Sequence, residues 1–184
     1  MMPSITNHPL AVLLLVSTAP ITSCSSAPDI PAGAQAVVIS VVDGDTLDAA
    51  FAVDGLRIEE RIRLIGIDTP ETKKPDSPVE CFGVEATRRL GELLPPGTPI
   101  VVERDVESRD VYGRLLAHVK RHSDGISVNL TMLAEGYAVT LVIEPNVTNS
   151  TVYASAERTA RELRLGLWAE CGGGHEPLAG SVTP

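Results

Sequence analysis

Two short segments of the chain carry carboxylates at a spacing suited to holding a cation: residues 42–46 (VDGDT) and residues 63–71 (RLIGIDTPE). Carboxylate oxygens are hard ligands that favour Ca²⁺ or Mg²⁺, and loops that are distant in sequence commonly supply them together. The first segment is not an EF-hand, because Leu47 stands where that loop requires an oxygen ligand. The two segments therefore predict a divalent-cation site built from separate loops.

Two arginines add a phosphate-binding element to this pattern. Arg63 opens the second acidic segment, and Arg114 ends residues 110–114 (DVYGR). Guanidinium groups match phosphate oxygens bidentately. A hydrolase acting on a phosphodiester needs such groups, a cation, and a carboxylate that positions water. Simpler interpretations remain open at this point, since residues 43–45 could form only a turn and residues 68–71 could only end a strand.

Composition restricts how such a protein could bind nucleic acid. The chain has 184 residues, of which 43% are apolar, so it forms one domain of ordinary size with additional segments. Aromatic residues make up only 3%, which excludes a platform that stacks many bases. The formal charge of −9 argues against a nonspecific polyanion binder held by bulk electrostatics. Any recognition of phosphate must therefore be local.

The N-terminus is typical of an exported protein. Residues 10–20 form an apolar run that is too short for a bilayer, which needs about 20 residues, and that fits the core of a secretory signal. Residues 21–24 (ITSC) resemble a bacterial lipobox, in which Cys24 is acylated. We expect a lipoprotein signal peptide at 1–23 and a flexible tether at 24–36. Cleavage elsewhere, with loss of Cys24, is the alternative.

With Cys24 set aside as the expected lipid anchor, two cysteines remain in the mature chain. These are Cys81 and Cys171, and an even number of cysteines in an oxidising compartment favours a disulfide. Such a bridge closes a long loop and stabilises the fold by about 4–5 kcal/mol in the chain-entropy picture. A catalytic cysteine is the competing interpretation, and it lacks an obvious histidine base.

The predicted strands and helices between these motifs indicate a small β-barrel with helices. We therefore predict an α+β domain for residues 37–171, followed by a loose tail at 172–184. Predicted strands cover residues 36–42, 47–53, 57–67, 99–104 and 115–121, and predicted helices cover residues 82–94, 128–135 and 149–166.

Four segments in this order resemble the thermonuclease (staphylococcal nuclease) family: residues 41–46 (VVDGDT), 63–71, 110–114 and 128–138 (VNLTMLAEGYA). The resemblance extends from about Val37 to Trp168. It implies a five-stranded OB-fold β-barrel with three α-helices. It also implies a Ca²⁺-dependent phosphodiesterase that acts on DNA and RNA and leaves 3′-phosphates.

The same resemblance assigns a calcium site. Asp45 and Asp68 correspond to the calcium carboxylates, and Thr69 corresponds to the residue that supplies a backbone carbonyl beside them. Asp43 corresponds to an acid that lies behind these ligands.

The remaining assignments concern the substrate. Glu71 corresponds to the carboxylate that orients and deprotonates the attacking water. Arg63 and Arg114 correspond to the arginines that grip the scissile phosphate, and Tyr112 to a tyrosine that contacts phosphate. In this description Arg63, Glu71 and Arg114 are the catalytic residues.

The chain departs from the family where the substrate's nucleotide rings would bind. The family's tyrosines fall near residues 141–144 (LVIE), where this chain has none, and Val111 replaces a lysine. Lys73 and Lys74 remain in a loop from which they could reach a nucleic-acid backbone. Stacking contributes about 1–3 kcal/mol per base, so we expect altered nucleotide affinity.

Together these interpretations predict a monomeric, disulfide-bonded nuclease anchored by lipid to the outer face of a bacterial membrane, or secreted. Two other functions stay open at the level of sequence. One is a non-catalytic OB-fold module that binds nucleic acid or a surface partner. The other is a structural lipoprotein stabilised by calcium.

Overall fold

A β-barrel forms the centre of the molecule. The computed structural model describes residues 30–73 and 78–173. Within them five strands close into a barrel in the order β1-β2-β3-β6-β5, and β4 and β7 form a separate pair. The strands are β1 (Ala34–Val41), β2 (Thr46–Val53), β3 (Leu56–Leu64), β4 (Gly66–Asp68), β5 (Pro99–Glu103), β6 (Leu115–Arg121) and β7 (Val139–Leu141).

The barrel begins as an antiparallel meander. Strands β2 and β3 are joined by Asp54 and Gly55, whose φ angles of 50° and 78° are both positive, as a type I′ hairpin turn requires. Strand β3 then pairs with β6 in parallel, with Ile62 opposite Leu115, and β5 bonds to both β6 and β1. This closed barrel with helices packed around it is the predicted α+β OB-fold.

The strand predicted over residues 57–67 is divided in the structure. Gly66 has a φ of 78°, and a Cβ at this position would lie 2.7 Å from ring atoms of Tyr153. Only glycine adopts this backbone conformation readily and leaves room for the ring. The chain therefore leaves the barrel after β3, and β4 pairs with β7, a strand that the sequence pattern did not predict.

Three helices and one additional turn pack around the barrel: α1 (Gly83–Leu93), α2 (Val128–Ala134), α3 (Ser150–Glu162) and α4 (Leu167–Glu170). Helix α1 buries Ala86, Leu90 and Leu93, which recur at helical spacing on one face. Helix α2 begins at Ser127, whose hydroxyl accepts a hydrogen bond from the amide of Leu130. The three predicted helices are present, and α4 is a short addition to them.

A buried asparagine attaches α2 to the barrel. Asn129 is fully buried, and its side-chain oxygen accepts a hydrogen bond of 2.9 Å from the amide of Val119 in β6. Its Nδ2 donates to the carbonyl of Ile65 at 2.9 Å and to that of Ala117 at 3.4 Å. The bond to Ile65 satisfies a main-chain carbonyl at the break between β3 and β4, and the other two bonds attach α2 to β6.

The predicted disulfide is present. Cys81 and Cys171 are bonded, with their Cα atoms 5.9 Å apart and 90 positions between them in the sequence. The bridge joins the residues that lead into α1 to the end of α4. A cross-link of this length restricts the unfolded chain strongly.

The predictions about export concern residues that the structure does not describe. The signal peptide at 1–23, the lipidation site Cys24 and most of the tail at 172–184 lie outside the described residues. In the described part, no helix combines the length and the apolar character needed to span a membrane.

Candidate active site

The turn between β1 and β2 directs Asp45 inward. The amide of Asp45 donates to Oδ1 of Asp43 at 3.2 Å, so Asp43 stabilises the turn with its side chain. The amide of Val42 closes the turn by donating to the carbonyl of Thr46 at 2.8 Å. Asp43 thus shapes the loop that presents the neighbouring carboxylate.

Asp45 is a buried carboxylate surrounded by donors. It is 7% exposed, and its Oδ2 accepts hydrogen bonds from the amide and the hydroxyl of Thr69 at 3.0 and 3.1 Å. Burial raises its pKa to about 6, and the charges of Asp43 and Asp68 act in the same direction, whereas Arg63 lowers it. Negative charge is therefore incompletely compensated here, which is the condition that a bound cation relieves.

Arg63 joins the two acidic segments. Its Nη1 lies 3.0 Å from Oδ2 of Asp45, and its Nη2 donates to Oδ1 of Asp68 at 2.7 Å. The same Nη1 donates to the carbonyls of Leu64 and Ile67, at 2.8 and 2.9 Å. The break after β3 thus holds the guanidinium in one position between two aspartates.

Two glycines allow the acidic segments to approach each other. A Cβ on Gly44 would lie 2.5 Å from the hydroxyl of Thr69 and 2.9 Å from the Cβ of Ala86. A Cβ on Gly83 would lie 2.9 Å from the carbonyl of Pro70. The turn after β1, the segment after β4 and the start of α1 therefore pack more closely than side chains would permit.

Glu71 is oriented by its own loop. Its Oε1 accepts hydrogen bonds from the amides of Thr72 and Lys73, both at 2.7 Å. Its amide donates to Oε2 of Glu80 at 2.9 Å. A carboxylate that already accepts two main-chain bonds has few orientations available, as a positioned base requires.

Arg114 enters the site from the start of β6. Its Nε donates to Oδ2 of Asp110 at 2.6 Å, while Oδ1 of Asp110 accepts from the amides of Tyr112 and Arg114. The guanidinium lies 5.6 Å from the centre of the Tyr112 ring. Sequence reasoning gave Asp110 no role, although its position four residues before Arg114 places it within reach.

Most of the predicted site residues line one cavity, which we call the polar cavity. Its volume is about 230 Å³. Its walls are formed by Asp43, Asp45, Arg63, Asp68, Thr69, Pro70, Glu71 and Arg114. Tyr112 and Lys73 are exposed and lie outside this wall, and Lys74 is not among the described residues. The structure thus brings together the candidate metal ligands, the candidate base and both arginines.

A larger apolar cleft adjoins the polar cavity. Its volume is about 580 Å³, and Arg63 and Arg114 belong to the walls of both spaces. Tyr112 and Val111 stand at its edge, and the remaining wall is mainly aliphatic, including Leu64, Ile65, Ile67, Leu116, Leu141 and Ile143. A phosphate held by the two arginines would therefore have an apolar surface directly beside it.

The donor set matches a hard cation with few protein ligands. Asp45 and Asp68 offer carboxylate oxygens, and Thr69 a main-chain carbonyl. Among residues 30–73 and 78–173, no three His, Cys, Asp or Glu side chains converge as a ready metal cluster. A cation at this site would complete its shell with water and substrate oxygens, as Ca²⁺ readily does.

The closed five-stranded barrel with its packed helices defines an OB-fold protein, and this protein carries an acidic cavity lined by arginines. The family model described as staphylococcal nuclease homologue matches residues 61–170. The chain belongs to this family.

Several curated proteins are similar to the chain. A thermonuclease of Staphylococcus intermedius is 35% identical over 136 residues, covering 74% of this chain and 77% of that protein. Two proteins of Bacillus subtilis (strain 168) are the SPbeta prophage-derived endonuclease YokF, 39% identical, and the endonuclease YncB, 38% identical, each over 132 residues. The alignments cover 71% of this chain in both cases, but only 43% of YokF and 60% of YncB.

Proposed function

We propose that the protein is a Ca²⁺-dependent nuclease that hydrolyses phosphodiester bonds of DNA, RNA or both. The observation that carries this proposal is the polar cavity, in which three aspartates, two arginines and a glutamate from three separate segments share one space of about 230 Å³. The names of the relatives, thermonuclease and endonuclease, support nucleic acid as the substrate. Calcium, the reaction course and the substrate preference are parts of the proposal.

In this proposal Asp45, Asp68 and the carbonyl of Thr69 hold the cation. The donor set fits, because all its atoms are hard oxygens and because burial leaves Asp45 with a pKa of about 6, so that its charge lacks full compensation. When bound, calcium supplies positive charge that polarises the phosphoryl group. The remaining roles belong to side chains of the chain itself.

Glu71 acts as the base. Its carboxylate is held by two main-chain amides at 2.7 Å, and it accepts a proton from the water that attacks phosphorus. The new bond joins the water oxygen to phosphorus, and the bond between phosphorus and the 5′-oxygen breaks in line with it. The leaving 5′-oxygen takes up a proton from solvent water, so the products carry a 3′-phosphate and a 5′-hydroxyl.

Arg63 and Arg114 bind the phosphate and stabilise the charge that develops on its oxygens. Each is fixed by carboxylates, Arg63 by Asp45 and Asp68, and Arg114 by Asp110. Because a guanidinium carries five N–H donors, it can keep these bonds and still donate to phosphate. Preorganised donors of this kind do not have to reorient during the reaction.

The apolar cleft receives the sugar and base beside the scissile phosphate. Its wall is mainly aliphatic, and the ring of Tyr112 lies beside the guanidinium of Arg114. Aliphatic side chains bury a base without stacking on it, so this contact is weak and insensitive to base identity. Lys73 and Lys74 contribute long-range attraction for the backbone of the nucleic acid.

We further propose that the enzyme works as an exported monomer, held at the outer face of the membrane by acyl chains on Cys24. The lipobox-like residues 21–24 and the Cys81–Cys171 bridge support this proposal. Membrane partitioning of wild type and Cys24→Ala tests it. The variant should be released into the medium, and unchanged partitioning would contradict the anchor.

The proposed activity is tested by digestion of plasmid DNA and of RNA with calcium and with EGTA, using wild type and three variants. Glu71→Gln and Arg114→Ala should lose activity, and chelation should abolish cleavage by wild type. Arg57→Ala is the matched control, because Arg57 is exposed and pairs only with Glu59 in the described structure. Full activity under chelation, or binding of nucleic acid without any turnover, would reject the proposal.

A further inference from the structure

The main chain of Glu71 is fixed from the far side of its loop. The amide of Glu80 donates to the carbonyl of Glu71 at 2.9 Å, and Oε2 of Glu80 accepts from the amide of Glu71, also at 2.9 Å. These two bonds join positions nine residues apart and close the loop at its base. The backbone of Glu71 is therefore held directly against Glu80.

The direction of the Glu71 carboxylate depends on this backbone. Its Oε1 accepts from the amides of Thr72 and Lys73, which follow it directly in the chain. If the main chain at Glu71 shifts, these donors shift with it. Glu80 thus acts on the carboxylate through the backbone of Glu71.

Glu80 is itself held by the residues that follow it. Cys81 is bonded to Cys171 at the end of α4, and the ring of Phe82 stacks on Tyr137 with a centroid separation of 5.3 Å. Helix α4 is anchored in turn, because the amide of Leu167 donates to the carbonyl of Gly136 at 2.9 Å. The disulfide thus connects the Glu71 loop to the helices at the other end of the chain.

We propose that Glu80 is a positioning residue for Glu71 and that the Cys81–Cys171 bridge fixes Glu80, so that hydrolysis depends on the oxidised disulfide. This inference rests on the proposed function, in which Glu71 is the base. The chain is then a poor nuclease in a reducing compartment and gains full activity when the bridge forms.

The controlling step is a reversible thiol–disulfide exchange. A dithiol reductant breaks the Cys81–Cys171 bond and transfers two electrons and two protons, leaving two protein thiols, while the reductant becomes a cyclic disulfide. An oxidising dithiol partner reverses the step. Reduction leaves the hydrogen bonds of Glu80 in place but removes the connection to α4 that limits their movement.

Steady-state kinetics of three variants test the role of Glu80. Glu80→Ala removes the acceptor and should lower kcat by about 10- to 100-fold with little change in KM, because a small misplacement of the base affects the chemical step. Glu80→Gln keeps an oxygen acceptor and should retain most of the activity. Glu85→Ala, in the exposed first turn of α1, is the control. A loss in Glu80→Gln equal to that in Glu80→Ala, or an unchanged kcat in both, would overturn the proposal.

The bridge is tested with dithiothreitol and with the double variant Cys81→Ser/Cys171→Ser. Both should lower kcat by about tenfold at a temperature where the fold is intact by circular dichroism. Reductant should have no further effect on the double variant. Wild type that keeps its full kcat after complete reduction would overturn dependence on the disulfide.

Amide hydrogen exchange separates this inference from the proposed function. The amide of Glu71 should exchange faster in Glu80→Ala and in the reduced protein, while amides of the barrel strands remain protected. This readout requires neither calcium nor cleavage, so it applies even if wild type proves inactive. Unchanged exchange at Glu71 would reject the positioning role, whereas absence of cleavage by wild type would reject only the proposed function.

Discussion

The polar cavity and the apolar cleft share Arg63 and Arg114 but are built in opposite ways. In the cavity, each of the charged groups Asp45, Arg63 and Asp68 has partners at hydrogen-bond distance. In the cleft, Val111 at the edge is 94% exposed and Ile143 is 62% exposed. The side chains proposed for catalysis are therefore held in place before substrate binds, whereas the surface proposed to bind the nucleotide is aliphatic and partly exposed. We therefore expect the protein to bind the phosphate in one defined position and to discriminate little between bases.

The largest effect should come from removing a group that belongs to both regions. Arg114→Ala should lower kcat by about 10²–10³-fold, because a preorganised donor for the phosphoryl oxygens is lost. The matched variant Ile143→Ala should change KM by about twofold or less, since an exposed side chain has little buried surface to lose. Steady-state kinetics on one oligonucleotide measure both. Similar losses of activity in the two variants would contradict the proposed difference between the polar cavity and the apolar cleft.

The next effect concerns the break between β3 and β4, two strands that contribute residues to both the polar cavity and the apolar cleft. Asn129→Ala should lower the free energy of unfolding by about 2–3 kcal/mol, since buried main-chain groups of Val119 and Ile65 lose their partner. Asn146→Ala, in an exposed loop where it bonds to the main chain of Glu107, should cost about 1 kcal/mol or less. Urea denaturation with an unchanged slope measures the difference. Equal destabilisation by the two changes would contradict a special role for Asn129.

A pH dependence should distinguish the cavity from the cleft. Burial raises the pKa of Asp45 to about 6, so protons compete with calcium below that pH, and the calcium affinity should fall by up to about tenfold per pH unit. Calorimetric titration of calcium between about pH 5 and pH 7 measures this. Affinity that stays constant across this range would contradict the raised pKa.

The raised pKa of Asp45 has the opposite effect on folding stability: without metal, stability falls as the pH rises. Because the folded pKa lies above the ordinary value of 3.8, the contribution of Asp45 to stability is present below that value and is lost as the pH rises through about 6. Calcium should therefore raise the melting temperature more at pH above 6 than below it. Thermal melts with and without calcium test this.

The smallest effect should come from adding an aromatic ring to the cleft. Ile143→Tyr places a ring on the aliphatic wall and should lower KM by about tenfold at most, at the lower end of the usual gain from stacking one base. The value of kcat should not change, because the polar cavity is untouched. Ile143→Leu is the control for side-chain volume. A KM that does not respond would mean that no base occupies this wall.

Sequence patterns were sufficient for elements whose signal is local. The strand predicted over residues 47–53 and the helix predicted over residues 82–94 depend on local apolar patterns, and both are present, as β2 (Thr46–Val53) and α1 (Gly83–Leu93). The pairing of Cys81 with Cys171 followed from cysteine number and compartment. The ordered motifs indicated which segments meet at the polar cavity, and the structure brings these segments together.

Features that depend on distant contacts were not visible. The break at Gly66 was missed because residues 57–67 alternate like one strand, and the ring of Tyr153 that packs against Gly66 comes from a residue far along the chain. Strand β7 was missed because three residues are too few for a periodicity. The contact of Glu80 with Glu71 was missed because the carboxylate of Glu80 accepts from the main-chain amide of Glu71. Every residue except proline has such an amide, so the residue types do not reveal this bond.

Arg63 lies between Asp45 and Asp68 and forms an ion pair with each of them. Its guanidinium is an internal counter-ion that reduces the repulsion between the two carboxylates. Removal of the proposed calcium should therefore leave a dormant enzyme rather than a damaged one, and activity should return when calcium is added again. For a protein proposed to work outside the cell, dormancy of this kind would preserve each molecule for later use.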